Sequence, residues 1–481
     1  MSIIKKLAGD TAIYGIPSIV GRSVGFLLIF FYAGFFTPDL IAPQIEFYAY
    51  AAFFFVVLPH GMETAFFNFS RKKEAYMDVF ATSMTSLAVM VCVFVFLMLL
   101  NKQGVGSFVG YPEQLSYVVW FTALLSLDVL KSVPYALLRY LGRPKKFAFI
   151  KSFGIVLNVA LNVFFVVFYP KMTGGSLSIE NVFIANLIAS SVEFSLLLGD
   201  SIKHFGKPDW TLWKKMFRYS WPLIILGFAG MINEAFDRLA MRKLLPQQSV
   251  DYEIGVYGTF YKLSMLMTIF IQAFRYAVEP FFFAQADKDD AKSSYVLIMN
   301  WFVFACGGIF LIVSLFKSEI AHLFIRLPEY HSHSDALFIV PILLMANLFL
   351  GIFFNLSIWY KLNDKTKLGA LVSAVGAIIT VVLLYVYVPI YGFKAAAITT
   401  LIAYCVMTVL SYTLGQKYYP VNYNVKLVMG LIALCVFLYV VSEQDGLNNL
   451  AAYIANTVYV TVYVSLGFRF LLSIKKPKFA A

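Results

Sequence analysis

The chain has 481 residues, 60% of them hydrophobic and only 13% charged, with a mean hydropathy of +0.78 and a formal net charge of +12. Soluble domains lie nearer roughly 45–50% apolar and about 25% charged, so a water-soluble globule, which would lack the polar residues to cover its surface, is excluded. The composition predicts an all-α integral membrane protein.

Apolar runs of the roughly 20 residues needed to cross a bilayer recur along the whole chain. In order they cover 11–36, 46–69, 77–100, 115–138, 148–169, 179–200, 217–241, 254–283, 295–316, 336–358, 367–388, 393–414, 425–441 and 450–472. This reading gives about 14 transmembrane helices, joined by connections too short to hold a separate domain. The seventh and eighth runs carry charges, and the thirteenth is short. The first is too long for a cleaved signal peptide, and no small-residue cleavage site follows it. The four cysteines, Cys92, Cys306, Cys405 and Cys435, sit in apolar stretches and imply neither a disulfide framework nor a cysteine metal site. The loop pair His331-Ser332-His333 lacks the carboxylate shell of a metal centre and reads as solvated.

Lys and Arg concentrate in alternate connections. One set holds about 23 of them, including Lys5-Lys6, Arg71-Lys72-Lys73, Arg143-Pro144-Lys145-Lys146, Lys203, Lys207, Lys365 and Lys475-Lys476. The other set holds about 6: Lys102, Lys171, Arg242, Lys243, Lys317 and Arg326. The basic-rich set marks the cytoplasmic face, and an even helix count then puts both termini there. The positive charge thus records membrane orientation, and no nucleic-acid partner is expected.

An internal repeat runs through the sequence. Tyr14-Gly15-Ile16-Pro17 is answered by Tyr219-Ser220-Trp221-Pro222, and Glu63-Thr64-Ala65-Phe66-Phe67 by Glu279-Pro280-Phe281-Phe282-Phe283. Arg143 with Lys145-Lys146 matches Lys365 and Lys367, and Pro170 with Gly174-Gly175 matches Pro389 with Gly392. An offset near 210 residues separates two six-helix units of like polarity, related by an axis along the membrane normal. The expected organisation is an amino-terminal six-helix lobe at 1–203, a second at 204–416, and two added helices at 417–481. Two parallel six-helix bundles around a central cavity form a transporter architecture.

These residues also carry a resemblance. Tyr-x-x-Pro in the first helix, Gly61-Met62-Glu63-Thr64-Ala65-Phe66-Phe67, Arg143-Pro144-Lys145-Lys146, Asp237-Arg238, Glu279-Pro280-Phe281-Phe282-Phe283, and Pro389-Ile390-Tyr391-Gly392 before Ala395-Ala396-Ala397 appear in that order. The chain resembles the bacterial polysaccharide-biosynthesis flippases of the multidrug/oligosaccharidyl-lipid/polysaccharide exporter superfamily over essentially its whole length. The resemblance implies a multi-pass protein of the bacterial cytoplasmic (inner) membrane. It also implies movement of a polyprenyl-pyrophosphate-linked glycan to the outer leaflet for O-antigen, capsule or related polysaccharide, alongside other polysaccharide-assembly proteins.

Charges within the spans supply the candidate site, because a lone ionised group at the bilayer centre costs about 2.5–3.5 kcal/mol on insertion scales. Arg22 lies between Gly21 and Gly25, one turn after Pro17, and Lys262 has no acid within one turn on its helix. With Arg275 they form the candidate diphosphate-binding set, since each phosphate oxygen must exchange hydration for a charge-assisted hydrogen bond. The competing reading of Arg22 is a structural pair with an acid such as Glu63. Asp128 with Lys131, Glu234 with Arg238, and Arg275 with Glu279 are spaced to neutralise themselves on one helix face, which leaves Asp237 without a partner on its own helix. Glu63, Glu193, Asp237 and Glu279 are the candidate cavity acids for coupling to a proton or sodium gradient, against simple pairing of Glu63 with Arg22 or of Glu193 with Lys131. No other cofactor and no metal are expected. Asn158 and Asn162, at i,i+4, are candidate sugar contacts or interhelical glue.

Two other functions compete. A cation-coupled multidrug antiporter of the same superfamily would have an acidic, aromatic cavity. A membrane glycan polymerase would need a large outward loop and a nucleophile–base pair or metal cluster, and the sequence shows neither.

Overall fold

A computed structural model of the chain describes residues 20–21, 23–70, 76–285, 291–331, 336–363, 365–444 and 449–473. Every regular element among them is helical, and twelve helices are long and apolar enough to cross a membrane. Two expected spans fall outside that twelve. The first is described only in part, as α1 (Ser23–Ala33). The seventh is α11 (Trp210–Leu244), whose 35 residues extend about 52 Å but carry several charges.

The chain separates into two compact units, Met1–Gly255 and Val256–Ala481. In the first unit, α2 (Pro38–Val57) opens at Thr37-Pro38-Asp39, with proline in the first turn and an acid facing the helix N-terminus. It begins well before the apolar run at 46–69, because Gln44 and Glu46, polar in sequence, are buried inside the fold. A break at His60-Gly61, both with positive φ, leads into α3 (Met62–Phe69). The His60 ring bridges the Leu58 carbonyl and Ser86 Oγ at 2.7 Å each, and Ser86 also accepts from Trp213 Nε1 at 2.8 Å. This relay fixes the break against the neighbouring helices.

The first unit continues with α4 (Tyr76–Leu100), α5 (Lys102–Val109), α6 (Leu115–Leu130), α7 (Ser132–Tyr140) and α8 (Pro144–Val163). A single π turn at Phe164–Phe168 joins α8 to α9 (Tyr169–Thr173), and α10 (Glu180–Lys203) follows. α8 and α6 pack on α10, whereas α2, α3 and α4 pack on α11. Asp209 caps α11, accepting from the Thr211 and Leu212 amides at 2.7 and 3.2 Å. The packing of α11 explains why it clusters with the first unit, whereas the expected 203/204 division follows the sequence repeat.

α12 (Val250–Gln285) crosses the boundary between the units. Beyond it lie α13 (Ala291–Leu315), α14 (Lys317–Phe324), α15 (Pro328–His331), α16 (Ile339–Leu356) and α17 (Ile358–Leu362). The chain ends with α18 (Thr366–Tyr391), α19 (Phe393–Tyr418), α20 (Val425–Gln444) and α21 (Asn449–Ser473). The order α4, α5, then α6 broken before α7 recurs as α13, α14, then α16 broken before α17. α16, α18 and α19 form the packed centre of this unit, and α20 and α21 pack on α13. The Tyr463 ring stacks on Phe304 at 5.6 Å and donates to its carbonyl at 3.1 Å, filling the space that Gly307 leaves open. Large apolar side chains such as Phe96, Leu97 and Leu100 of α4 point out of the fold, as a lipid-facing surface requires.

Candidate functional site

In the first unit, α8 presents Lys151, Gly154, Ile155 and Asn158 at helical spacing, so they share one face. That face, with Gly25 of α1 and Ser190 and Glu193 of α10, lines a pocket of about 170 Å³. Gly154 lets Glu193 approach: a β-carbon there would stand 3.0 Å from its carboxylate.

Behind the pocket lies a network of two acids and two lysines. Lys131 pairs with Asp128 at 2.7 Å, donates to Ser190 at 2.9 Å and pairs with Glu193. Its three ammonium protons therefore have three acceptors. Lys131 and Glu193 side chains are each 8% exposed. Tyr135 donates to Glu193, and Ser190 to Asp128. Lys151 is 35% exposed and approaches Glu193 at 3.5 Å, with its ammonium 5.0 Å from the centre of the Tyr135 ring. Among the described residues it is the least committed cation of the network. Sequence spacing nominates Asp128–Lys131, and pairing with Lys131 is the alternative reading of Glu193; Lys151 is not singled out.

Asn158 and Asn162 meet Asn186 of α10. Their amides donate to its Oδ1 at 2.7 and 3.0 Å, and Tyr32 of α1 donates to Asn162 Oδ1 at 2.7 Å. Asn162 is sealed within this junction, while Asn158 reaches the pocket wall. Glu63, half-buried at the start of α3, pairs with Arg139 of α7, whose guanidinium lies 5.1 Å from the centre of the Phe67 ring.

A second buried network joins α2, α11 and the start of α12 at the end opposite the basic-rich connections. Glu46, fully buried, accepts from both Arg242 Nε and Nη2 in a two-pronged pair. Arg242, 2% exposed, also pairs with Asp251 and lies 4.8 Å from the centre of the Tyr111 ring. Tyr111 donates to Glu46, and burial together with the Glu46 charge pushes its phenol far above the ordinary range, so it stays a neutral donor. Gly110, at φ +98°, is required here twice over: by its left-handed backbone, and because a β-carbon would lie 2.9 Å from Arg242 Cδ. Arg242 is thus no loop charge, and neither it nor Glu46 stood out in the sequence.

The expected Glu234–Arg238 carboxylate pair does not form. Arg238 Nη1 instead takes the Glu234 backbone carbonyl at 2.8 Å and the Asp237 carboxylate at 3.2 Å, so Asp237 is partnered within its own helix. The nearer carboxylate and a carbonyl one turn away offer shorter reach than the i,i+4 side chain.

In the second unit, Arg275 of α12 and Lys361 of α17 line a cavity of about 20 Å³, room for a water-sized group. Arg275 stands 4.0 Å from the centre of the Phe354 ring, which orients the guanidinium by cation–π attraction. Buried in the wall is Asn355, whose amide donates to the Gly351 carbonyl at 3.1 Å and whose Oδ1 has no partner among the described residues. Lys262 lies half-buried on the same helix as Arg275, about 20 Å away along its axis. Arg22, Ser332 and His333 lie outside the described residues, as do the side chains of Glu279 and His331. No cluster of three metal-ligating side chains occurs among the described residues.

No protein-family model matches the chain, and no curated protein matches it in sequence. Solved structures do share its fold. The lipid II flippase MurJ, in an inward closed conformation, aligns over 95% of this chain and 99% of its own, with a TM-score of 0.75 at 15% identity. An inward-facing multidrug resistance MATE transporter of the MOP superfamily aligns over 85% of this chain and 97% of its own, with a TM-score of 0.68 at 14% identity. The Vibrio cholerae MATE transporter VcmN, in its bent form, aligns over 86% of this chain and 97% of its own, with a TM-score of 0.54 at 14% identity. The chain therefore has the fold of a transporter.

Proposed function

We propose that the protein is a flippase moving a polyprenyl-pyrophosphate-linked oligosaccharide from the cytoplasmic to the outer leaflet of the bacterial inner membrane, for O-antigen, capsule or related polysaccharide. The observation carrying this reading is the match, over 95% of the chain, to the structure of a lipid II flippase. A diphosphate and its sugars cannot cross about 30 Å of hydrocarbon unaided, because desolvating an anion is prohibitive. The protein must offer cations along the way while the polyprenyl tail stays in lipid. Arg275, braced on Phe354, and Lys361 beside it offer two cations to the phosphate at the cytoplasmic end once their water-sized cavity opens. Lys262, about 20 Å further along α12, suits a later position of the same headgroup, and Arg22 contributes from the first span.

In this reading access alternates between the two faces. Glu63, Glu193, Asp237 and Glu279 remain the acids proposed for coupling to a proton or sodium gradient. Replacing Arg22 and Lys262 together with alanine, and Arg275 alone, should abolish surface-glycan export in cells while the protein stays folded and inserted. Wild-type export by either stable variant would refute the site.

The multidrug-antiporter reading draws on the MATE structures, which match less of the chain. It predicts drug resistance on expression in a pump-deficient host, whereas the flippase reading predicts none.

A further inference from the structure

The 170 Å³ pocket of the first unit has a chemistry that phosphate binding does not use. Both of the acids behind it are already neutralised by Lys131 and Lys151, so an added metal cation would have to displace a lysine. An added anion at Lys151 would face the Glu193 carboxylate, 3.5 Å away. The donor and acceptor together suit a group that both gives and takes hydrogen bonds. A hydroxyl does this: one of a neighbouring pair accepts from the Lys151 ammonium while the other donates to Glu193 Oε1. Both bonds are charge-assisted, and the ligand itself stays neutral.

The rest of the pocket agrees with that ligand. Ile155, Val24 and Leu28 supply an apolar wall, and the Asn158 side chain stands at the polar edge. Among the described residues a β-carbon on Gly25 would meet nothing within 4 Å, so no described side chain packs into the space above it. At about 170 Å³ the pocket has far more room than a single water needs and admits a ring-sized group.

We infer that this pocket is a monosaccharide subsite, in which Lys151 and Glu193 grip adjacent hydroxyls of one uncharged pyranose unit over the open face of Gly25. The inference rests on the flippase reading and specifies which part of the glycan the first unit holds. It gives Lys151, the more exposed of the network's two lysines, a ligand-facing role beside its pairing with Glu193. Gly25→Leu fills the pocket from a helix position with space to accept it, and Lys151→Met removes the donor while Glu193 keeps Lys131 and Tyr135.

The test is ligand-observed NMR on the full-length protein in detergent, with methyl hexopyranosides, methyl N-acetylhexosaminides and a methyl hexuronide as probes. The expected result is saturable binding of at least one neutral pyranoside, weakened at least tenfold by either substitution and unchanged by Gly199→Ala. Unaltered binding in both pocket variants, no binding of any neutral pyranoside, or a tenfold preference for the hexuronide would each overturn the subsite. Binding needs no translocation, so the two readings fail separately. Lipid flipping unaffected by Gly25→Leu would keep the flippase and sink the subsite; pyranoside binding without lipid flipping would do the reverse.

Discussion

Glu46→Gln is the most informative stability probe in the protein. It preserves shape but removes the charge that holds both prongs of the Arg242 guanidinium, at a site where Glu46 is fully buried and Arg242 is 2% exposed. Breaking a buried ion pair by neutralising one partner costs about 3–5 kcal/mol, chiefly because the remaining charge is left uncompensated. Arg242 keeps Asp251 and Tyr111, so the lower figure applies: about 3 kcal/mol, or roughly a 100-fold shift in the unfolding equilibrium. Asp251 is 40% exposed, and water screens its share, so Asp251→Asn should cost no more than about 1 kcal/mol. The double replacement Glu46→Leu with Arg242→Met removes both charges and should cost less than Glu46→Gln alone. Unfolding in mixed micelles titrated with SDS, followed by tryptophan fluorescence, gives the order. If Asp251→Asn were as damaging as Glu46→Gln, or if Glu46→Gln fell within about 0.5 kcal/mol of wild type, the usual range of a neutral surface change, the buried clamp would not exist as described.

Other positions give sharper contrasts of packing. A β-carbon on Gly255 would overlap the Pro38 backbone carbonyl, whereas one on Gly199 meets nothing within 4 Å; Gly255→Ala should therefore melt well below wild type and Gly199→Ala beside it. Lys131→Met removes the ion pair of Asp128 and leaves Glu193 only Lys151 and Tyr135, and should cost about 3 kcal/mol, while the more exposed Lys151→Met should cost under about 1 kcal/mol in the same titration. Gly307→Ala should displace Tyr463 and loosen α21 from α13, read as faster proteolysis between α20 and α21. Tyr463→Phe, losing only the hydrogen bond to the Phe304 carbonyl, should cost about 1 kcal/mol.

The membrane-spanning helices were legible because lipid selects for long apolar runs that the sequence displays directly. The start of α2 was not, because Gln44 and Glu46 read as polar until their burial is seen. Pairing was legible within one turn of one helix, as for Asp128 and Lys131, where a fixed 3.6-residue period brings side chains together. It failed for Glu234 and Arg238, where a backbone carbonyl and an adjacent acid compete for the same guanidinium. It was silent on Arg242 with Glu46, separated by nearly two hundred positions. Sequence spacing likewise nominated Asn158 and Asn162 together, yet Tyr32 and Asn186 turn the second of them into a sealed junction.

The flippase reading is tested most directly by reconstituting the purified protein in liposomes carrying a fluorescent polyprenyl-diphosphate oligosaccharide, with dithionite bleaching the outer leaflet. Protein-dependent bleaching of the inner-leaflet pool, slowed at least tenfold by Arg275→Ala, is the predicted result. An inner pool that stays protected at every protein density and under an imposed proton or sodium gradient would contradict it.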